Sequence, residues 1–138
     1  MNTSIIVALI TIAGSVIAFI LTKHHEIKSE WKKEKLNHYK VLLSALSDLA
    51  VDGTNKDKAN EKFSLAVNTI ALVAPQTVVT TLMEYHDYVK FSNKERTAEG
   101  HDKLLNKLLL EIRKDIGLSQ RDNPETFNFH LIGSKPRN

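Results

Sequence analysis

Residues Ser4 to Leu21 read SIIVALITIAGSVIAFIL, without a charged side chain. At about 1.5 Å per residue this run makes roughly 27 Å of helix, close to the hydrocarbon thickness of a bilayer. Thr3 and Thr22 extend it to about the usual 20 residues of a span. Its many Ile and Val residues do not argue for a strand, because in lipid only a helix satisfies its own backbone groups. The rival reading is a cleaved signal peptide, which needs a basic leader and a small-residue cleavage site. Met1-Asn2-Thr3 holds no basic residue, and the run ends in Thr22-Lys23-His24-His25-Glu26 with no A-x-A pattern. A retained anchor is therefore expected. The fold class that follows is all-α, a single N-terminal transmembrane helix (1–22) continuing into a cytoplasmic antiparallel helical bundle (23–117). A C-terminal tail (118–138) completes the chain.

Everything charged lies on the other side of that run. All 19 Lys/Arg and all 16 Asp/Glu of the 138 residues follow Thr22, for a net charge of +3. This division excludes a simple soluble globule, a collagen-like chain and a disordered tail. The absence of cysteine excludes a disulfide framework, a thiol nucleophile and any Cys-based metal site. Lys23, Lys28, Lys32, Lys33, Lys35 and Lys40 follow the span closely, against Glu26, Glu30 and Glu34. The positive-inside rule then places the body in the cytoplasm and the N-terminus outside.

One face of the span is small and polar. Ser4, Ala8, Thr11, Ser15, Ala18 and Thr22 recur at alternating four- and three-residue spacing, a heptad seam that covers roughly 80° of arc at 100° per residue. Gly14 sits beside it. Such a stripe can arise by chance, since small residues are common in spans. The sharper reading is self-association, because helices in lipid associate through close packing and hydroxyl hydrogen bonds. In a dimer the stripe is a packing seam, and in a tetramer or pentamer it lines a narrow aqueous path.

No Pro or Gly interrupts Thr22 to Asp52, so the span is expected to run on as one helix. Ile27, Trp31, Tyr39, Leu42, Leu43, Leu46 and Leu49 recur as one buried face. Asp52-Gly53-Thr54-Asn55 is the first break, with candidate N-caps. A second helix is expected from about Lys56 to Ala74, burying Phe63, Ala66, Val67, Ile70 and Val73, and stopped by Pro75. A third, from about Gln76 to Phe91, presents Val78, Val79, Leu82, Met83 and Val89. Ser92 to Gly100 reads as a loop. A fourth, from about His101 to Ile116, carries Leu104, Leu105, Leu108, Leu109, Ile112 and Ile116, with Gly117 as its C-terminal cap. Short connections favour neighbours of alternating direction. In the tail, Phe127, Phe129, Leu131 and Ile132 alternate with polar residues, which suits either a docked strip or a fraying end.

Catalytic signatures are absent: no P-loop, no dinucleotide fingerprint, no G-x-S-x-G and no H-E-x-x-H. His24-His25 point about 100° apart on a helix and share no site. Glu84-Tyr85-His86-Asp87 reads as a solvated helix face. No enzyme, cofactor or metal is expected. The basic excess carries two readings. Juxtamembrane lysines meet anionic lipid, and helix lysines are usually solvated. The alternative is a phosphate-binding surface of Lys32, Lys33, Lys35, Lys40, Lys103, Lys107, Arg113 and Lys114.

An apolar span, a Lys-rich helix leaving it, and a helical body ending in Glu111-Ile112-Arg113-Lys114-Asp115-Ile116-Gly117 resemble a group of small bacterial membrane proteins. In layout the chain is similar to the membrane effectors of the Hailong anti-phage defence family. That resemblance implies a cone-shaped tetramer at the bacterial inner membrane whose spans form an ion channel. It further implies that DNA oligomers made by a partner nucleotidyltransferase hold the channel closed, and that their loss depolarises the cell. The resulting expectation is a homotetrameric channel effector gated by a DNA oligomer on its cytoplasmic domain. The alternative is a non-conducting membrane-tethered adaptor that binds a protein partner, and a third reading is a phage-encoded membrane lesion protein.

Overall fold

The structure is a computed structural model and describes residues 2–50, 55–90, 92–118 and 121–132. Its four helices are α1 (Thr3–Ala50), α2 (Lys56–Val73), α3 (Gln76–Val89) and α4 (Ala98–Asp115), with no strand among the described residues. The chain divides into two compact units, Met1–Glu34 and Lys35–Asn138. Of the expected first break only Asn55 is described; Asp52, Gly53 and Thr54 lie outside the described residues, as does Phe91 at the expected end of the third helix.

The first unit is a bare helix. Its apolar window is long and apolar enough to cross a membrane, and none of that window is buried within the chain. Ile27 and Trp31, expected on the buried face, are 54% and 57% exposed. The correction has a simple cause: three- and four-residue spacing marks an apolar stripe but does not say where its cover begins. Lys23 closes the apolar run, its Nζ 5.9 Å from the centre of the Phe19 ring and 3.1 Å from Glu26 Oε2.

In the second unit the core begins at Tyr39. Tyr39, Leu42, Ala45 and Leu46 of α1 pack with Phe63, Ala66, Val67 and Ile70 of α2, Val78, Leu82 and Tyr85 of α3, and Leu105, Leu108 and Ile112 of α4. Leu43 and Met83, also expected inside, are exposed. Cross-links between helices fix their directions. Lys62 reaches Ser44 and Asp48, Phe63 stacks on His86, Lys107 pairs with Glu84, and Lys35 pairs with Asp115. The end of α1 meets the first half of α2 through Lys62, Phe63 of α2 meets the late part of α3, and Tyr85 late in α3 bonds His101 at the start of α4. The end of α4 returns to Lys35, where the packed part of α1 begins, so successive helices run antiparallel.

The helix ends follow local chemistry. Asn55 Oδ1 accepts from the backbone N–H of Asp57 and Lys58 and starts α2. Pro75 opens α3, where a missing N–H costs nothing. Thr97 Oγ1 accepts from Gly100 N–H and starts α4 at Ala98, three residues earlier than the apolar pattern alone indicates. Gly117, at φ 83°, closes α4: its N–H donates to Lys114 O and Leu118 N–H donates to Arg113 O, a Schellman closure.

The tail docks on its own chain. Phe129 and Leu131 pack against the core, Phe129 N–H donates to Asn106 Oδ1, and the Arg113 guanidinium stands 5.7 Å from the Phe127 ring centre. Ile132 is exposed.

Candidate functional site

The seam residues Ser4, Ala8, Thr11, Ser15, Ala18 and Thr22 all lie on α1 and are all exposed within the chain. Their hydroxyls are not uniformly available. Thr11 Oγ1 donates to Val7 O and Ser15 Oγ donates to Thr11 O, each at 2.9 Å. Bonding back to the preceding turn satisfies a hydroxyl proton without a second helix and leaves the oxygen lone pairs outward. Beside the seam, a Cβ at Gly14 would meet nothing within 4 Å. The face therefore presents acceptor oxygens, methyl groups and one bare backbone position, the surface that lets another helix come close.

The basic residues separate into two groups of four. Lys35 Nζ contacts both Asp115 oxygens, at 3.0 and 3.2 Å. Lys107 pairs with Glu84, Lys114 with Glu111, and Arg113 holds Asp122 through Nε and Nη2. The hydrogen bond to Arg113 lowers the Asp122 carboxyl from its usual value, with their opposite charges adding to it. These four cations are already partnered. Among the described residues, no ion pair involves Lys32, Lys33, Lys40 or Lys103, all exposed.

A polar cluster absent from the sequence reading joins the tail to the start of α4. Asp102 receives His101 Nδ1 at 3.1 Å on one oxygen and His130 Nδ1 at 2.8 Å on the other. Hydrogen bonding from His101 is the main cause lowering the Asp102 carboxyl, with His130 contributing and partial burial opposing. An ionised carboxylate only accepts, so both imidazoles donate from Nδ1. His101 Nε2 lies 2.9 Å from the Tyr85 hydroxyl, from which the neutral ring accepts. Burial, aided by the Asp102 charge, pushes that hydroxyl up to about 12, so it remains a neutral donor at physiological pH. Two of these residues stand side by side in sequence, but nothing local marks His130 as their partner 28 positions on. Among the described residues no group of three or more side chains is arranged to hold a metal ion.

Comparisons with protein-family models, with curated proteins and with solved structures found no match to this chain.

Proposed function

We propose that the chain is a single-span membrane channel effector that works as a homotetramer, with its helical body in the cytoplasm and its N-terminus outside. The observation that carries the reading is the uncovered seam: α1 segregates six small or hydroxyl-bearing residues on one face, and among the described residues none packs on them. Brought to a common axis, that face supplies Ser4, Thr11, Ser15 and Thr22 oxygens to a narrow lumen and leaves Ile and Leu to the lipid. The resemblance in layout to Hailong-type membrane effectors supports the same reading and adds a DNA oligomer as the gating ligand in bacterial anti-phage defence. Of the eight candidate cations, Lys32, Lys33, Lys40 and Lys103 form no ion pair among the described residues and can meet its phosphates, whereas Lys35, Lys107, Arg113 and Lys114 already hold carboxylates.

The second reading, a non-conducting tether for a protein-binding bundle, draws on two observations. Thr11 and Ser15 spend their protons within their own helix, and half of the candidate phosphate ligands are neutralised. Conductance of the purified full chain in planar bilayers separates the two. A channel gives discrete current steps that DNA oligomers suppress, and the double substitution Thr11→Leu with Ser15→Leu abolishes the current while cross-linked assemblies persist. Absence of current at every protein density, with and without DNA oligomers, excludes the pore and leaves the tether.

A further inference from the structure

The second unit contains a cavity of about 540 Å³ that neither the span face nor the basic helix surface accounts for. It opens among the end of α1, the first half of α2, the end of α3 and the start of α4. Its size falls within the range of small-molecule sites, which join apolar walls to a few convergent polar groups. The walls here have that character. Leu49, Phe63, Val89 and Leu131 supply apolar surface, and the Phe63 and His86 rings stack with centroids 6.3 Å apart and planes 19° from parallel.

Lys90 and Arg96 bring positive charge to the cavity and His86 and His101 add imidazoles, while among the described residues no Asp or Glu lines it. Asp87, near the end of α3, is two-thirds exposed and holds its neighbours loosely, with Lys90 Nζ at 3.5 Å and His86 Nδ1 at 3.4 Å. Arg96 is fixed in place by Nη1 donating to Val89 O at 2.9 Å. Tyr85 and His101 present a hydroxyl–imidazole pair, held from behind by Asp102. A ligand that fits these walls is flat enough to lie along the stacked rings and carries its negative charge toward Lys90 and Arg96.

We propose that this cavity binds a small aromatic anion, a single ring bearing a phosphate or carboxylate. The site is distinct from the proposed channel function and stands whether or not the chain conducts. A phosphate or carboxylate replaces the long, solvated Asp87 contact with a shorter charge-assisted one to Lys90. The ring takes up apolar and aromatic surface that otherwise faces water.

The chain has three tyrosines, Tyr39, Tyr85 and Tyr88, so the full-length protein labelled with 3-fluorotyrosine in detergent micelles gives three assignable fluorine signals. Titrated with phenyl phosphate, the Tyr85 signal is expected to shift saturably with a dissociation constant of about 0.1 to 1 mM, while Tyr39 stays in place. Benzoate in the same titration distinguishes a carboxylate site from a phosphate site. Inorganic phosphate and uncharged benzyl alcohol are each expected to bind at least about tenfold more weakly, because each lacks half of the recognition. Lys90→Gln, at an exposed helix end, weakens phenyl phosphate by about tenfold with helicity unchanged. The proposal is overturned if neither anion moves Tyr85 saturably up to about 10 mM. Equal binding of benzyl alcohol, or unaltered affinity in Lys90→Gln, overturns it as well.

Discussion

Asp115 is one carboxylate with two partners from the same face of α1. Lys35 and Tyr39 stand one helical turn apart, and the Tyr39 hydroxyl donates to Asp115 Oδ2 at 2.6 Å beside the Lys35 bridge. The Asp115 side chain is only 11% exposed, so Asp115→Ala strands an ammonium and a hydroxyl near the core. A loss of about 2 kcal/mol is expected, measured by denaturant unfolding of the micelle-bound chain followed by helicity. Burial, then the bond to Asp115 and its charge, raises the Tyr39 phenol above its ordinary 10.0. The folded state thus prefers the neutral phenol. Its contribution is intact below pH 10 and is lost as pH rises further toward the folded-state value. Tyr39→Phe is expected to flatten that alkaline slope. Two glycines are fixed by geometry as well. Gly117→Ala, at positive φ, costs about 1 kcal/mol by the same unfolding measurement. A Cβ at Gly100 runs into the Tyr88 hydroxyl, which also accepts from Thr97 N–H, so Gly100→Ala loosens the start of α4.

At the level of elements, the sequence announces helices through apolar spacing and ends them through Pro75, Asn55 and Gly117. What it withholds is reach. A helix of 18 residues, such as α2 or α4, covers about 27 Å of a neighbour, and the covered stretch of α1 from Lys35 to Leu49 is of that order. Ile27 and Trp31 keep the period yet fall outside it. Ala45 and Ala59 are buried without being conspicuous, and Tyr85 and Thr81 carry polar atoms that periodicity discounts. Thr81 solves its burial locally, its Oγ1 donating to Thr77 O at 2.7 Å. The spacing of the small residues along α1 can be read from the sequence, because it is a property of one helix; the cavity and the Asp102 cluster cannot, because they need residues from several. The tail tests this. Asp102 has a lowered carboxyl, so its contribution to holding His130 is present above the ordinary value of 3.8 and lost as pH falls through the folded-state value. Asp102→Asn weakens that hold at neutral pH. The Phe129 amide, bonded to Asn106 Oδ1, is then expected to exchange hydrogen several-fold faster while amides of α4 stay protected.

For the molecule as a whole, the first helix carries a segment long and apolar enough to cross a membrane, while the bundle buries a core of its own. Alkaline carbonate washing is expected to leave the chain in the membrane pellet, because retention depends on the apolar run and not on surface charge. Ala8→Leu with Ala18→Leu keeps that retention and, by bulking the seam, reduces the yield of cross-linked oligomers in intact membranes. A chain that assembles equally well with both substitutions associates through some other surface. Order of synthesis follows from the Lys35–Asp115 bridge, whose partners are 80 positions apart. The ribosome delivers α1 first and α4 last, so at about 5 to 20 residues per second the inner side of α1 waits roughly 4 to 16 seconds for its cover. Until then Tyr39, Leu42 and Leu46 lack the α4 part of their cover, so a chain truncated ahead of α4 is expected to be degraded faster than the full chain, as pulse-chase labelling measures.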